Sequence, residues 1–576
     1  MNGGYIFAKA LHENNVRYLF TLCGGHIAPI YVEAERAGIR VIDVRHEATA
    51  VFAADVMARL SGVPGVAAVT AGPGVTNAVT ALKNAQMAQS PLVLIGGATA
   101  TLLRGRGALQ DIDQTSILHS VVKWSVRVER VCEIGPTVRE AFKRAVSGVP
   151  GPVFIECPVD LLFDDNTVRE WYGQKNEPGK TLMERLRHWY IRRHLNHMFS
   201  GAEGMGTMKA DTPVPVNVSE GTLRRALDMI CRAEKPVLIA GSGAVMIPGA
   251  VTGISEAIRR LGIPTYLSGM ARGLMGAHDP VQFIHQRKKA LREADCIILA
   301  GVPADFRLDY GRQLNRQARK IAVNRHACEL KKNLSPDLAV QADPGQFLIA
   351  LAGQQTATMP VWENWKNALN VYREEREKEI SGMASAAMEG INPLALFRTL
   401  ESRLPDNSVI IADGGDFAAT ASYTLSPRKP LSWLDPGVFG TLGVGGGFAL
   451  AAALHYPDNY IWIIYGDGSA AYSLAEFDIF TRHGMKVCAI IGNNGSWEQI
   501  ARDQRTMLGA DTATKLPQSD YQHIAEAFGA AGERVETLET FSDSIARAKS
   551  SMDKGIPYII NALIGKSEFR KGSISI

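Results

Sequence analysis

Short apolar runs that end at glycine or proline recur along this chain of 576 residues and alternate with stretches of helical periodicity. In the first part of the chain we predict strands at 18–22, 41–44, 65–70, 92–95 and 153–156. Similar runs follow at 236–240, 296–300 and 321–323, and then at 409–413, 460–465 and 487–491. Strands that alternate with helices are typical of a parallel sheet covered on both faces. The pattern therefore predicts an α/β protein with three doubly wound parallel-sheet domains.

Two stretches without this alternation divide the chain. Residues 166–215 contain a basic helical stretch and a Gly- and Pro-rich run, and residues 354–390 contain a charged helix. We predict an N-terminal domain at 1–165, a middle domain at 216–353, a C-terminal domain at 391–565 and a polar, basic tail at 566–576. A solvated surface explains the basic helix better than a docking site for an acidic ligand does.

Composition narrows the class of function. A net charge of +4, with no basic run longer than 287–289, gives no argument for nucleic acid binding. Seven cysteines without a CxxC pair indicate free thiols in a reducing compartment. The N-terminus carries a charge by Lys9, before any apolar core of a signal peptide forms, and no apolar run approaches about 18 residues. We expect a cytoplasmic enzyme with no nucleic acid and no membrane partner.

Two helix starts are marked by polar residues. Ser473 with Glu476 three positions later is a capping-box pattern, which predicts a helix that begins ahead of Phe477. Glu47 follows the predicted strand 41–44 and opens an alanine-rich helix. A carboxylate in a first helical turn is favoured by the helix dipole, which is one explanation of Glu47 without any catalytic role.

Two polar turns follow neighbouring strands late in the chain. Gly-Asp-Gly at 466–468 ends one predicted strand, and Asn-Asn-Gly at 493–495 ends the next. Because the carboxyl ends of parallel strands lie at one edge, Asp467 and Asn494 can meet there. One carboxylate and one amide suit Mg²⁺ that phosphates also hold, and the glycines let the backbone approach a phosphate. Either turn alone is weak evidence; the pair is specific.

The two turns, with Asp and second Asn 27 positions apart, resemble the thiamine diphosphate fingerprint. In that family the metal is held by the Asp, the second Asn and the backbone carbonyl two residues further on. The resemblance therefore implies Mg²⁺ at Asp467, Asn494 and Ser496.

A second resemblance lies near the N-terminus. Arg-His-Glu at 45–47 ahead of an alanine-rich helix, with Thr-Ala-Gly-Pro-Gly-Val-Thr-Asn at 70–77, resembles the pyrimidine-binding domain of the acetolactate synthase branch of these enzymes. The resemblance implies that Glu47 is the catalytic acid that exchanges a proton with the aminopyrimidine of thiamine diphosphate.

Other roles follow from the same resemblance, and each has a structural alternative. Gln110 matches a cofactor-proximal Gln or belongs to a polar helix start. Leu442 is a wedge that keeps the cofactor bent, or a core residue. His26 follows a Gly-Gly turn at the sheet edge beside the cofactor and is a candidate for proton transfer or substrate contact, or an ordinary structural histidine. The remaining implied cofactor contacts are Cys23, Gly24, Gly25, Pro73, Asn77, Gly414, Gly415, Asp416, Phe417, Gly440, Gly466, Gly468, Ser469 and Trp497.

The middle domain opens with strand, Gly-Ser-Gly turn and helix, which is weak evidence for a nucleotide site. Related middle domains bind FAD, ADP or the nucleotide of coenzyme A, and here Asn-Arg-His at 324–326 replaces a frequent acid. The basic candidates for a phosphate, each also explained as a surface charge, are Arg272, Arg287, Lys288 and Arg325. ADP, coenzyme A and no nucleotide all remain open.

The resemblance covers the whole chain and is nearest to the 2-hydroxyacyl-CoA lyases of acetolactate-synthase-like type. It implies a lyase dependent on Mg²⁺ and thiamine diphosphate that cleaves a 2-hydroxyacyl-CoA to formyl-CoA and an aldehyde or ketone, or runs the reverse condensation, as a homodimer or homotetramer. The tail at 566–576 is then a lid for the acyl-CoA, or simply disordered.

The alternatives are an acetohydroxyacid synthase, which FAD would reveal, an oxalyl-CoA decarboxylase and a non-catalytic scaffold. Leu109-Gln110 in place of a Tyr-Glu pair weakens the decarboxylase. Retention of both Glu47 and Asp467 argues against the scaffold.

Overall fold

The computed structural model describes residues 2–174, 181–201, 208–210, 218–354 and 359–571. The chain divides into two compact units, Met1–Pro213 and Val214–Ile576. The first contains one parallel sheet and the second contains two, so the predicted α/β fold with three parallel sheets is confirmed. Among the described residues no helix is both long and apolar enough to cross a lipid bilayer.

The sheet of the first unit has six parallel strands in the order β2-β1-β3-β4-β6-β5. Its strands are β1 Tyr18–Thr21, β2 Arg40–Asp43, β3 Gly65–Val69, β4 Leu92–Ala98, β5 Trp124–Arg127 and β6 Pro152–Pro158. Its helices are α1 Gly3–Glu13, α2 Ala28–Arg36, α3 Glu47–Ser61, α4 Pro73–Asn77, α5 Val79–Met87, α6 Gln114–Leu118, α7 Ile134–Val146, α8 Asp165–Trp171 and α9 Leu182–Phe199. Burial of both sheet faces explains why β3 and β4 read as continuous apolar runs, whereas the edge strands β2 and β5 are only partly buried and carry polar residues.

Helix α3 is the best buried helix of this unit. His46 caps it by accepting a hydrogen bond from Ala48 N at Nδ1, 3.1 Å away, and Gly62 ends it with φ +75°. Its alanines let it pack closely on the sheet, and a side chain at Gly65 would overlap Ala54. The tight packing fixes the position of Glu47, which is the first residue of the helix.

The basic stretch between the first two predicted domains forms α9, and one side of this helix belongs to the first unit. Leu195 and Met198 lie in the same apolar core as α1 and α7. The described part of the segment therefore packs onto the first unit, and its outward face is exposed.

The first sheet of the second unit has the order β11-β10-β9-β7-β8. Its strands are β7 Pro236–Ala240, β8 Thr265–Leu267, β9 Cys296–Ala300, β10 Arg319–Asn324 and β11 Leu338–Gln341. The accompanying helices are α10 Glu220–Cys231, α11 Val251–Leu261, α12 Arg287–Glu293, α13 Ala327–Leu330, α14 Pro344–Gly353 and α15 Glu363–Ala384.

The Gly-Ser-Gly turn of this sheet does not open an α-helix directly, contrary to the sequence prediction. Two 3₁₀ turns, Ser242–Val245 and Pro248–Ala250, precede α11. A Cβ at Gly243 would lie 2.8 Å from Gly301 Cα, so these glycines allow two loops to approach closely.

The last sheet has the order β13-β12-β14-β15-β17-β16. Its strands are β12 Ser408–Ala412, β13 Trp433–Leu434, β14 Tyr460–Gly466, β15 Val487–Asn493, β16 Ala531–Val535 and β17 Tyr558–Leu563. Its helices are α16 Pro393–Arg403, α17 Gly415–Thr424, α18 Gly445–His455, α19 Asp467–Ala470, α20 Phe477–Arg482, α21 Glu498–Leu508, α22 Tyr521–Ala527 and α23 Leu538–Asp553. Strands β14 and β15 are neighbours, so the turns that follow them share one edge.

The predicted capping box is wrong. A 3₁₀ turn, Leu474–Glu476, precedes α20, and the Ser473 side chain makes no cap hydrogen bond. Its Oγ lies 2.8 Å from Tyr465 Oη and accepts a hydrogen bond from Gly446 N at 3.2 Å. The Ser473 hydroxyl therefore links β14 to α18 by hydrogen bonds, because each element places a polar group next to it in the core.

Candidate active site

Asp467 joins the two polar turns of the last sheet. Strand β14 ends at Gly466 and α19 begins at the next residue. The Asp467 carboxylate accepts hydrogen bonds from Gly468 N at 2.9 Å and from Ser496 N at 3.2 Å. Burial raises the pKa of Asp467, and these backbone N–H groups oppose that rise. A single buried carboxylate thus organises the edge of the sheet.

The turn that donates Ser496 N to this carboxylate also carries two further oxygen atoms that could bind a cation. Asn494 Oδ1 is buried and has no hydrogen-bond partner in the part of the chain that the structure describes. Ser496 and Lys515 form an isolated antiparallel β-bridge. Its two hydrogen bonds use Gly495 O and Trp497 N, so the Ser496 carbonyl takes no part in them. A buried amide oxygen without a partner costs about 1–3 kcal/mol, so a cation bound there would be stabilised. One carboxylate, one amide oxygen and one carbonyl form a hard oxygen donor set.

The described residues contain no group of three or more His, Cys, Asp and Glu side chains that could hold a metal. That finding is compatible with this donor set, because only one of its three members, Asp467, is a residue of those types.

Residues that the sequence did not single out support the same edge. Trp497 N donates to Thr514 O and Leu516 N donates to Gly495 O, both at 2.8 Å. Tyr521 Oη donates to Asp467 O at 3.2 Å. A loop and a helix start from further along the chain therefore hold the Asn-Asn-Gly turn in place. No local sequence signal identifies them.

Trp497 lies directly against Gly468. A Cβ at Gly468 would be 2.5 Å from Cζ3 of the indole, so only glycine fits beneath the ring. Gly466 is different, because the atoms nearest to a Cβ at that position, Gly414 O and Ser469 Oγ, would be 3.8 and 3.9 Å away. The indole thus requires glycine at the third position of the turn, Gly468, and does not constrain the first position, Gly466.

Asp413 ties the glycine segment ahead of α18 to the end of β12. Its carboxylate accepts hydrogen bonds from Gly443 N at 3.1 Å and Gly445 N at 2.7 Å. Burial raises the pKa of Asp413 to about 7, against the effect of these amides. Leu442, which the carboxylate thereby positions, lies over Gly414 so closely that a side chain at 414 would overlap it.

Two predicted cofactor contacts have side chains with protein partners. The Phe417 ring is buried against Phe397, with 4.5 Å between centroids, and beneath Gly492. The Asp416 carboxylate accepts a hydrogen bond from Arg502 Nη2 at 2.7 Å. The predicted contacts of these two residues to a cofactor stay predictions. Because the Phe417 ring is packed in the core, only the backbone of Phe417 could make such a contact.

In the first unit, Glu47 and Asn77 meet at the carboxyl edge of the sheet. Glu47 is 6% exposed, and its Oε2 accepts a hydrogen bond from Asn77 Nδ2 at 2.9 Å. Its Oε1 would lie 3.6 Å from a Cβ at Gly74, in the turn whose Pro73 starts α4. The structure therefore brings together the acid and the loop that the sequence analysis assigned to one pyrimidine-binding domain.

His26 lies at the same edge. Its Nδ1 is 3.4 Å from Thr70 Oγ1, and burial lowers the pKa of its imidazole. A Cβ at Gly97 would be 2.6 Å from His26 Cβ, so that glycine makes room for the histidine. Cys23 and Gly25 are exposed beside it. A neutral imidazole at this edge can accept or relay a proton.

Gln114, which the sequence did not select, links the loops of this edge. It is 2% exposed, accepts a hydrogen bond from Gly72 N at 2.8 Å and donates to Gly97 O at 3.1 Å. Gln110 instead has φ +62° and packs against Gly72, with 2.9 Å between its Cβ and a Cβ at that glycine. Its role towards a cofactor stays a prediction.

Comparison with known proteins gives a consistent result along the chain. Residues 1–117 match the thiamine pyrophosphate enzyme N-terminal TPP binding domain, residues 223–351 the central domain and residues 413–562 the C-terminal TPP binding domain. The chain is similar to proteins named 2-hydroxyacyl-CoA lyase 2 from Danio rerio, at 47% identity over 100% of this chain and 93% of that protein, and from Homo sapiens, at 44% over 100% and 92%.

A protein named probable acetolactate synthase from Mycobacterium bovis is more distant, at 31% identity over 98% of this chain and 96% of that protein. Both kinds of relative span the whole chain, and the three matched domains agree with the three sheets. The chain therefore belongs to the family of thiamine-pyrophosphate-dependent enzymes.

Proposed function

We propose that this chain is a carbon–carbon lyase that cleaves a 2-hydroxyacyl-CoA into formyl-CoA and an aldehyde or ketone, with Mg²⁺ and thiamine diphosphate as cofactors. Full-length similarity to proteins named 2-hydroxyacyl-CoA lyase 2 supports the reaction class. The observation that carries the choice of an acyl-CoA substrate is a cluster of three arginines in the second unit that lies near a single carboxylate of the described residues, Asp435.

Arg272 and Arg287 form the inner part of this arginine cluster. Arg272 Nη1 donates to Ser422 O at 2.6 Å, and its guanidinium lies 5.3 Å from the Trp433 ring. Arg287 Nη2 donates to Arg307 O at 2.8 Å. Burial lowers the pKa of both groups, and the charge of Arg272 lowers that of Arg287 further. Two like charges are thus held close together.

Arg570 completes the cluster from the end of the described chain. Its guanidinium lies 5.1 Å from the Tyr423 ring, and its Nε is buried with no hydrogen-bond partner among the described residues. Phe569 packs edge-on against the same ring at 5.7 Å. Arg502 Nη1 donates to Ser567 O at 3.1 Å and fastens this segment to α21. The lid predicted at 566–576 lies in part outside the described residues.

Within the described part of the chain, no carboxylate forms an ion pair with Arg272, Arg287 or Arg570. By contrast, Arg325 is paired with Asp343, and Lys288 is exposed. The Asp435 carboxylate lies close enough to raise the pKa of Arg272, but one negative charge does not balance three guanidinium groups. Partly buried cations in excess of their counter-charges are costly, so the cluster favours an anionic ligand. The phosphates of coenzyme A satisfy it, whereas two small 2-ketoacids offer one carboxylate each.

The donor set beside Asp467 fits Mg²⁺, which we propose is held by Asp467 Oδ, Asn494 Oδ1 and the Ser496 carbonyl together with the cofactor diphosphate. Thiamine diphosphate, when bound, supplies an electron sink for the carbanion that carbon–carbon cleavage leaves. Glu47 is proposed to hold and exchange a proton at Oε1, while Asn77 fixes Oε2. We further propose that His26 exchanges a proton with the substrate and that Leu442 would pack against the bound cofactor.

We also propose a homodimer or homotetramer in the cytoplasm. All seven cysteines are free, which supports a reducing compartment. The mass in solution by sedimentation equilibrium tests the assembly.

The reaction is tested with purified protein, Mg²⁺, thiamine diphosphate and a 2-hydroxyacyl-CoA, with formyl-CoA and the carbonyl product measured by mass spectrometry. The reverse reaction is run with formyl-CoA and a panel of aldehydes and ketones, and pyruvate serves as the competing substrate. Cleavage to formyl-CoA is expected. Acetolactate formed from pyruvate without any acyl-CoA product would overturn the proposal.

The arginine cluster is tested by Arg272→Ala, with exposed Lys288→Ala as the matched control. We expect Arg272→Ala to raise KM for the acyl-CoA roughly tenfold or more and to leave kcat nearly unchanged, because it removes ground-state and transition-state binding alike. The corresponding acyl-pantetheine, which lacks the nucleotide phosphates, should be insensitive to the change. Equal effects on both substrates would contradict the assignment.

A further inference from the structure

Helix α9 carries apolar side chains on two opposite sides. Its inner side places Leu195 and Met198 in the core of the first unit. Leu182, Leu186 and Trp189 recur every three or four positions, which puts them on one stripe on the outer side. These three side chains are 76%, 53% and 56% exposed. Packing of the unit therefore explains only one of the two apolar sides.

The outer stripe is flanked by positive charge. Arg185, Arg187 and Arg192 border the stripe, and Arg193, four positions after Trp189, lies on it; all four are exposed. The Arg193 guanidinium lies 5.5 Å from the Trp189 ring. None of the four forms an ion pair with a carboxylate of the described residues. The one acid of the helix, Glu184, accepts a hydrogen bond from Thr181 N at 3.0 Å.

A depression of about 390 Å³ opens beside the stripe and is lined by Arg185, His188, Trp189 and Arg192. Tyr190 and Met183 extend the apolar surface and are 56% and 75% exposed. Leucine, methionine, tryptophan and tyrosine on one helix face, bordered by arginines, form the pattern of a helix that lies in a lipid–water interface. An ordinary exposed helix scatters single apolar residues instead.

Charge selects among the occupants of this face. Anionic phospholipid headgroups complement the four arginines, and the acyl region accepts the leucines and the indole. A second copy of the chain docking by the same face would bring the arginines of two identical helices together, which is unfavourable. The four arginines and one glutamate of α9 also prevent it from crossing a bilayer, so only a position on the membrane surface is compatible with its sequence.

We propose that the outer face of α9 is a peripheral binding surface for membranes that contain anionic phospholipids. The sequence alone led us to expect no membrane partner, because it contains no spanning segment. A helix that lies on the surface requires no such segment. This inference is independent of the proposed reaction.

The test uses flotation of the full-length protein with phosphatidylcholine vesicles that contain or lack phosphatidylserine. We expect binding only to the anionic vesicles, weakened by added salt. Arg185→Ala, Arg192→Ala and Arg193→Ala should each lower the partition coefficient roughly fivefold. The double variant Leu186→Ser with Trp189→Ser should lower it by roughly tenfold or more. The thermal unfolding midpoint should stay at the wild-type value in each case.

Two exposed positions outside the stripe serve as matched controls. Arg224→Ala on α10 removes a charge that is 73% exposed, and Val371→Ser on α15 removes an apolar side chain that is 50% exposed. Neither should alter flotation. The proposal is overturned if the protein fails to float with anionic vesicles, floats equally with neutral ones, or if the α9 variants change the mass in solution, which would identify a contact between copies.

Discussion

Two buried acids on α3 allow catalysis and stability to be separated. Glu47 opens the helix, and its Oε2 accepts one hydrogen bond, from Asn77. Asp55 lies further along and holds Arg59 through two hydrogen bonds of 2.7 and 2.6 Å. Both acids are buried, yet we predict opposite consequences when each is replaced by its amide.

Glu47→Gln keeps the length and volume of the side chain, and its amide oxygen can still accept from Asn77. The free energy of unfolding should therefore change by no more than about 1 kcal/mol. The amide cannot take up and release the proton that we assign to Oε1, so turnover should fall by roughly 10²–10⁴. Glu47→Ala should lower turnover at least as much, with an added loss of packing.

Asp55→Asn should do the reverse. The Arg59 and Asp55 side chains are 4% and 0% exposed, so the change leaves the guanidinium buried without its bidentate carboxylate. Loss of one partner of such a pair costs about 3–5 kcal/mol. For a unit of this size the thermal midpoint should fall by roughly 10 °C. Turnover per folded molecule should remain close to that of the wild type.

Both variants are measured by urea and thermal unfolding, and by turnover at saturating Mg²⁺, thiamine diphosphate and substrate. Thiamine diphosphate affinity is determined by calorimetry as an independent readout. Turnover of Glu47→Gln within tenfold of wild type would refute the role of the carboxyl group. Unfolding of Glu47→Gln as severe as that of Asp55→Asn would refute the separation of the two acids.

Three further predictions concern the second unit. Gly468→Ala should displace the Trp497 ring and lower turnover roughly a hundredfold. Gly466→Ala has room beside the protein atoms and should leave the indole fluorescence unchanged. Measurements of kcat and of indole fluorescence check these expectations. Asp413→Asn removes a group whose pKa is about 7 in the folded protein, against an ordinary value of 3.8. Between these two pH values the folded protein binds more protons than the unfolded chain does. The free energy of unfolding of the wild type therefore falls as pH rises through this range, by up to about 1.4 kcal/mol per pH unit. The Asn variant lacks this dependence, so its urea midpoint should rise relative to that of the wild type between about pH 5 and 8. Asn494→Ala should weaken Mg²⁺ binding at least about tenfold in calorimetry, and unchanged affinity would contradict its assignment as a ligand.

Much of the fold could be predicted from local pattern. Continuous apolar runs identified the interior strands of the first two sheets and β12, β14 and β15 of the last one, because a strand buried on both faces has few polar positions. The interior strand β17, which carries the buried Asn561, was missed. The Gly-Asp-Gly and Asn-Asn-Gly turns followed from the ends of β14 and β15. Short or edge strands such as β5 and β13 were missed, since their burial depends on neighbours that the pattern does not reveal.

The candidate sites at Glu47 and at Asp467 both depend in part on long-range contacts that local sequence patterns do not predict. Gln114 rather than Gln110 joins the loops at Gly72 and Gly97, because α6 presents it to both. Tyr521 reaches Asp467 from 54 positions away in the chain. Local pattern cannot distinguish such residues from ordinary polar ones on a helix.

The sequence by itself determined where strands end, where glycine is required and which acids open helices, because these properties depend on the backbone within a few residues. Only the tertiary structure decided that Ser473 serves Tyr465 instead of capping a helix, that Arg502 holds Asp416, and that α9 leaves an apolar face outside the core. The physical reason is that a side chain forms hydrogen bonds with, and buries its apolar surface against, the residues that tertiary packing places next to it. Those neighbours depend on the order of the strands in the sheet, which the local sequence does not specify.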